Sequence, residues 1–143
     1  MRRSAAVVFA VGGCLLAAGC TSTNNDEVRA SARAYAGAIV TRNPSRICEY
    51  SSPAFRERVI RRRAPADAGK DTACKDAWKT RLKAEGRKLG KEYADFHILG
   101  VEILDGREAK VLGESAERET LDMDLVLADD KWVVDSTSIS PGP

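Results

Sequence analysis

His97 is the single histidine of the chain, and Asp95 precedes it by two residues. Residues two apart on a β-strand point to the same face, so Asp95 could orient a His97 imidazole that accepts a proton as a general base. A second reading comes from the alternation with Phe96 and Ile98, which would place Asp95 and His97 on the solvent face. The apolar residues further along the stretch, however, are spaced in steps of two from His97, which would place His97 on the buried face with them. Which reading holds depends on whether Gly100 marks a β-bulge.

The other acidic and metal-binding patterns are weaker. Asp122 and Asp124 alternate with Leu121, Met123 and Leu125, which predicts solvent-facing carboxylates beside buried apolar residues rather than a catalytic acid pair. With one histidine, no CxxC pair and no calcium-loop spacing, we predict no metal site and no cofactor. No glycine-rich phosphate loop, nucleophile elbow or HExxH sequence is present, which weighs against an enzyme.

Charge is divided unevenly between the two halves of the chain. Residues 42–91 hold 15 Lys and Arg against 6 Asp and Glu, or +9, whereas residues 92–143 hold 4 against 13, or −9. Five arginines form a basic run: Arg56, Arg58, Arg61, Arg62 and Arg63. We interpret this run either as a site for anionic lipid headgroups or as a solvated helix face that complements the acidic half. A nucleic-acid partner is not expected, because the N-terminus predicts an extracytoplasmic location.

The N-terminus has the layout of a secretory signal. Arg2 and Arg3 precede an uncharged, largely apolar stretch over residues 5–18, and small residues then lead into Cys20. The stretch has 14 residues, which rise about 21 Å as a helix and fall short of a hydrocarbon core of about 30 Å. The segment is therefore not predicted to span a membrane.

Residues 15–20, Leu-Leu-Ala-Ala-Gly-Cys, make this segment similar to bacterial lipoprotein signal peptides. The resemblance implies a thioether-linked diacylglyceride on Cys20, cleavage before it and acylation of the freed amine. Ala17 departs from the commonest pattern, which has leucine three residues before the cysteine. Cys14 is a poorer candidate because it would leave an apolar region of only about nine residues. Cleavage by the general signal peptidase without a lipid is the alternative.

The remaining cysteines fit this compartment. Of the four cysteines, Cys14 is lost with the signal and Cys20 carries the lipid, so Cys48 and Cys74 remain outside the reducing cytosol. We predict that they form a disulfide, with a redox pair or half a metal site as the alternatives. The mature chain has no net charge, because 23 minus 2 leaves 21 basic residues against 21 acidic ones.

Helical signals fill the first part of the mature chain. Residues 20–25 are expected to form the lipidated cysteine and a short tether, and residues 26–138 a single domain with a tail at 139–143. Capping residues, prolines and apolar spacing predict four helices. They run from 24 to about 42, from 44 to 51, from 53 to 63, and from about 74 to a glycine at 86 or 90.

Strand signals follow from residue 94 onward. Apolar, β-rich stretches are predicted to form strands at 96–104, 107–114, 120–127 and 131–136. Asp105-Gly106 predicts a two-residue hairpin, and Asp129-Asp130 predicts a second turn. Helices followed by an antiparallel meander predict an α+β domain with the helices packed against one face of a curved sheet.

This element order resembles the cone-shaped nuclear transport factor 2-like superfamily, which includes the SnoaL-like polyketide cyclases, as in small secreted actinobacterial lipoproteins. The likeness rests on the helix-then-sheet order, on Cys48 and Cys74, and on the terminal strand Asp-Lys-Trp-Val-Val-Asp at residues 130–135. It implies a cone-like domain. In some enzymes of the superfamily a His-Asp dyad in the cone acts as general base, which would be His97 and Asp95 here.

Three functions are consistent with these observations. We expect a lipid-anchored protein on the extracytoplasmic side of the cell membrane that acts as a binding or accessory module for a protein partner or a small apolar ligand. The alternatives are a small SnoaL-like enzyme and a structural envelope component. The space between helices and sheet separates them: either it is an open cavity with converging polar groups, or Tyr35, Trp78, Met123 and Trp132 fill it as core.

Overall fold

The computed structural model describes residues 19–63 and 69–141 and contains four helices followed by four strands. The helices are α1 (Gly19–Val40), α2 (Pro44–Glu49), α3 (Pro53–Arg63) and α4 (Lys70–Tyr93). The strands are β1 (His97–Ile103), β2 (Glu108–Glu114), β3 (Thr120–Ala128) and β4 (Lys131–Ser140). The strands form one antiparallel sheet in the order β1-β2-β3-β4, with the helices packed on it. The predicted α+β class is confirmed.

Helix α1 lies against all four strands and α4. Its apolar residues recur at helical spacing, and Val28, Tyr35 and Ile39 are buried, as an amphipathic helix requires. The helix begins at Gly19, five residues before the predicted start at Asn24. The backbone of residues 20–25, predicted as the lipidated cysteine and a short tether, is therefore helical.

Local capping sets the starts of the two short helices. Asn43 immediately precedes Pro44, the first residue of α2, and its side chain accepts a hydrogen bond from the N–H of Arg46 at 3.2 Å. The hydroxyl of Ser52 accepts one from the N–H of Phe55 at 2.9 Å, at the start of α3. The starts of both helices, at residues 44 and 53, were predicted from capping residues and prolines. Helix α2 ends at Glu49, two residues earlier than predicted.

Helix α4 continues through the two glycines that were predicted to end it. Gly86 and Gly90 lie inside the helix, which ends only at Tyr93. A glycine in a helix costs about 1 kcal/mol relative to alanine. Beyond the glycines, Leu89 and Tyr93 are buried in the core, and their burial outweighs that cost. The prediction was wrong because propensity is local whereas this helix is stabilised by tertiary packing.

The first hairpin forms at the predicted position with a longer loop than predicted. The N–H of Leu104 donates to the carbonyl of Glu108 at 2.9 Å, which leaves three residues in the loop. The Asp105 carboxylate accepts hydrogen bonds from the backbone N–H groups of Arg107 and Glu108 at 2.9 and 3.0 Å. Gly106 has a φ of 82°, a left-handed conformation that suits glycine. The prediction of a two-residue loop was wrong.

The second hairpin has the predicted turn. Asp129 and Asp130 have φ values of 49° and 57°, which are typical of a two-residue type I′ turn. A β-bulge then leaves Asp135 unpaired, because Leu125 lies opposite Val134 and the preceding residue of β3 lies opposite residue 136. Strand β4 continues to Ser140, so residues 139 and 140, predicted as the start of a tail, pair with β3.

The space between the helices and the sheet is filled by side chains. Tyr35, Trp78, Met123 and Trp132 are each at most 2% exposed. The ring of Tyr35 lies 6.5 Å from that of Trp78 in an edge-to-face arrangement that contributes to the packing. Of the two outcomes that the sequence left open, the structure has the closed core.

Candidate functional site

The N-terminal anchor lies mostly outside the described residues. The predicted signal, residues 1–19, is described only at Gly19, and Cys20 is described only as backbone in the first turn of α1. The side chain of Cys20, to which the lipid would attach, is not among the described groups. Within residues 19–63 and 69–141, no helix has the length and hydrophobicity needed to span a membrane.

The predicted disulfide is present. The sulfur atoms of Cys48 and Cys74 lie 2.06 Å apart and the Cα atoms 6.2 Å apart. Both cysteines are buried, and the bond joins α2 to α4 across 26 residues of sequence. A cross-link of this separation stabilises the fold by roughly 3 to 4 kcal/mol through the entropy of the unfolded chain.

The predicted dyad lies on the surface. Asp95 and His97 are both exposed; Asp95 is in the turn before β1, with a φ of 53°. A bulge at Leu99 shifts the register of β1, so Ile98 faces the core and His97 faces away from it. Asp95 and His97 therefore do not meet in a cavity between the helices and the sheet. Their positions do not support the enzymatic alternative.

The acidic residues of β3 lie on the same outer face of the sheet. Asp122 and Asp124 are exposed, and Asp124 accepts a hydrogen bond from the hydroxyl of Ser136 at 2.6 Å. A broad cavity on this face is lined by both aspartates and by Glu102 and Lys110. Within the described residues, no three His, Cys, Asp or Glu side chains are grouped to hold a metal ion.

Two of the five arginines in the basic run form hydrogen bonds or ion pairs with other residues of this chain. The Nε of Arg56 donates to the carbonyl of Ser51 at 3.1 Å. Arg58 contacts the carbonyl of Asp135 and forms an ion pair with its carboxylate at 3.5 Å. Arg61 and Arg62 are exposed, whereas the side chain of Arg63 lies outside the described groups.

A cleft of about 260 Å³ lies between α3, α4 and β4. Three arginines line it, Arg58 and Arg62 from α3 and Arg81 from α4, together with Phe55 and Val59 and the hydroxyl-bearing Ser136 and Thr137. The described lining contains no carboxylate, histidine or cysteine. Because guanidinium groups bind carboxylates and phosphates through paired hydrogen bonds, this lining is suited to an anion.

Arg81 is held in place from two sides. Its Nε donates to the carboxylate of Glu85 at 3.2 Å, and its guanidinium lies 4.9 Å from the ring of Trp78. Arg81 was not predicted as a site residue. Its arrival beside Arg58 and Arg62 depends on the packing of α4 against α3, for which a single sequence carries no local signal.

Two buried tyrosines lie behind the cleft. Burial raises the pKa of Tyr35 well above its ordinary value of 10.0; the nearby Tyr93 raises it further, and the positive charge of Arg81 partly offsets both. Burial also raises the pKa of Tyr93, an effect that its hydrogen bond with Thr137 partly offsets. Both phenols are therefore neutral over the physiological range and add no negative charge to the cleft. The carboxylates that pair with its arginines are those of Asp135 on Arg58 and Glu85 on Arg81.

A second cavity of about 370 Å³ continues from the cleft along β4. The two cavities share Arg81 and Thr137, and the second is also lined by Lys88, Tyr93 and Ile139 among other residues. Together they form a groove with β4 as one wall and α4 as the other.

Comparison with known proteins does not identify a relative. No protein-family model, no curated protein and no solved structure matches this chain.

Proposed function

We propose that this chain is a lipid-anchored extracytoplasmic binding module that holds a protein partner through an anionic group in the arginine cleft. The observation that carries the proposal is the convergence of Arg58, Arg62 and Arg81 on one cavity whose described lining has no acidic side chain. The closed core supports a surface site over a ligand inside the domain, because Trp78 and Trp132 occupy the interior. A partner with an acidic side chain or a free carboxyl terminus has the group that this cleft would bind.

The anchor belongs to the same proposal. It is supported by the sequence of residues 1–20, in which two arginines, an apolar stretch and a small-residue approach to Cys20 follow one another. The likeness to the nuclear transport factor 2-like superfamily, with its cone-like shape, is supported by the order of helices and strands and by the position of the disulfide.

Localisation of cysteine variants in cells tests the anchor. With Cys20→Ala, we expect unprocessed protein to accumulate and the lipid-modified form to disappear from the membrane fraction. Cys14→Ala is the matched control and should leave processing and membrane binding unchanged. Normal processing and membrane retention of the Cys20→Ala variant would refute the anchor.

Titration with a small dicarboxylate tests the cleft. Glutarate is added to the unlipidated mature chain, residues 20–143 with Cys20→Ser, while the arginine side-chain resonances are followed by NMR. Arg62→Ala should weaken binding about tenfold, the equivalent of about 1.4 kcal/mol for one charge-assisted contact. Arg61→Ala removes the same charge from an exposed neighbour outside the cleft and should change affinity less than about twofold. Equal effects of the two variants would mean that the cleft is not a site.

A further inference from the structure

The outer edge of β4 is covered along only part of its length. The N–H of Ser52 donates to the carbonyl of Val134 at 2.8 Å, and the N–H of Val134 donates to the carbonyl of Tyr50 at 2.7 Å. Beyond Asp135 the strand continues through residues 136–140. Strand β4 is last in the sheet order, and no strand in the described part of the chain pairs with this second half.

The register shows which backbone groups face that edge. The N–H of Leu127 donates to a carbonyl on the β2 side at 2.8 Å, so even-numbered residues of β3 bond to β4. Asp124 is one of these and lies opposite Ser136. The backbone groups of Ser136 therefore point into the sheet, whereas the N–H and C=O groups of Thr137 and Ile139 point out of it.

The groove described above runs beside this edge. Its first part holds the three arginines, and its second part adds Ile139, Lys88 and the carboxylates of Glu92 and Glu119. Because Lys88 pairs with Glu92 at 3.5 Å, the net positive charge lies in the first part. Sheet edges in natural proteins are commonly protected by charged residues, prolines or bulges. Residues 136–140 are Ser-Thr-Ser-Ile-Ser and carry no charge themselves. The bulge at Asp135 precedes them and Pro141 follows them.

The two faces of β4 differ in charge. Thr137 lies opposite Met123 on the core side, next to the arginines. Ser136 also lines the cleft, but its hydroxyl donates to Asp124, which is exposed on the outer face. A strand added at this edge would place alternate side chains on these two faces. An acidic residue would suit the arginine part of the groove and an apolar residue the part beside Ile139, whereas uncharged or basic residues would suit the outer side.

We propose that an extended segment of a protein partner adds to β4 as a fifth strand and places an acidic side chain in the arginine cleft. Main-chain hydrogen bonds to Thr137 and Ile139 would supply affinity, and the arginines would select the side chain, which is how strand addition works in general. This inference rests on the proposed function because both use the cleft, and it adds the backbone pairing.

A short peptide and its N-methylated forms test the pairing. The probe is the acetylated and amidated pentapeptide threonine-glutamate-threonine-valine-threonine, added to residues 20–143 carrying Cys20→Ser. One form carries N-methyl groups on the threonines and the other on the glutamate and valine. Only alternate N–H groups of an added strand face its neighbour, so one form should lose at least about tenfold in affinity while the other stays within about threefold of the parent peptide. Antiparallel addition makes the glutamate and valine the sensitive positions, and parallel addition makes the threonines sensitive.

Amide hydrogen exchange provides the second measurement. The parent peptide should slow exchange at Thr137 and Ile139 and leave Ser136 and Ser138, already paired with β3, little changed. Binding by both N-methylated forms equal to the parent, or unchanged exchange at Thr137 and Ile139, would overturn strand addition while the carboxylate site could still stand. The proposed function fails separately if Arg62→Ala leaves glutarate binding unchanged.

The free protein is the remaining control. If Thr137 and Ile139 are already as protected as the sheet interior without peptide, the edge is covered in solution and the proposal is wrong. Sedimentation would then distinguish pairing between two copies, which gives a dimer, from coverage by another part of the same chain.

Discussion

At the scale of single residues, the phenols behind the cleft connect its chemistry to stability. Tyr35 and Tyr93 are almost completely buried, and their rings lie 6.2 Å apart. Each has a pKa raised above 10.0 in the folded protein, chiefly by burial. In the unfolded chain both phenols ionise near pH 10. Their contribution to stability is therefore complete below that pH and is lost as the pH rises above it.

This linkage predicts a steep alkaline loss of stability. The free energy of unfolding, measured by denaturant titration from about pH 8 to about pH 11, should fall as the pH passes about 10. Tyr35→Phe lowers the starting stability little if packing is kept, and it should make the alkaline limb shallower. An identical alkaline slope in the wild-type chain and the Tyr35→Phe variant would contradict the prediction. Phenolate absorbance followed in the same titration gives the ionisation directly.

At the scale of elements, the packing of β2 depends on a residue without a side chain. A Cβ atom at Gly113 would overlap the ring of Phe96, which lies over the inner face of β2. A Cβ atom at Gly100, in β1, would have no heavy atom within 4 Å outside Gly100 itself and its two neighbours in the chain. The close approach of the aromatic ring therefore requires glycine at 113 and not at 100.

Alanine at the two glycines should have different effects. Gly113→Ala forces Phe96 to move and should cost about 1 to 3 kcal/mol of unfolding free energy, as overpacking does. Gly100→Ala is the matched control and should change the unfolding free energy by less than about 0.5 kcal/mol. Denaturant unfolding of both variants measures the difference. Equal effects would mean that Phe96 does not occupy this position in solution.

The same elements show what a single sequence can predict. Helix α3 begins at Pro53, as predicted, because a serine cap and a proline are local signals. Strand β3 was predicted from its alternation, and the two-residue Asp129-Asp130 turn from its residue types. The end of α4 and the arrival of Arg81 in the cleft were not predicted. Both depend on contacts between elements far apart in the chain, which local spacing does not encode.

At the scale of the whole molecule, the uneven charge of the sequence becomes a difference between two layers. The helical layer carries exposed cations such as Arg61 and Arg62, and a groove along α4 is lined by Arg42 and Lys91 among others. The outer face of the sheet carries exposed carboxylates. Such a separation gives the molecule a strong electric dipole, so the helical layer should meet an anionic surface first.

Vesicle binding measures this orientation. Residues 20–143 with Cys20→Ser should bind vesicles rich in anionic phospholipid, and added salt should weaken the binding. Arg61→Glu should lower the affinity by about tenfold or more, since each basic residue near such a surface contributes about 1 kcal/mol. Lys110→Glu makes the same charge change on the sheet and should have little effect. Salt-independent binding, or equal loss in both variants, would show that the arginine run does not contact lipid headgroups.

The disulfide has a consequence for the continuity of the chain. Cys48 and Cys74 enclose α3 and the connection that leads into α4, and both cysteines lie in the core. A single peptide-bond cut between them therefore leaves the two fragments covalently joined, with α1 and the sheet still held to α4. Under oxidising conditions a protease could nick this segment without releasing either piece. New chain termini could be placed there by circular permutation, with the original cross-link acting in place of the broken backbone.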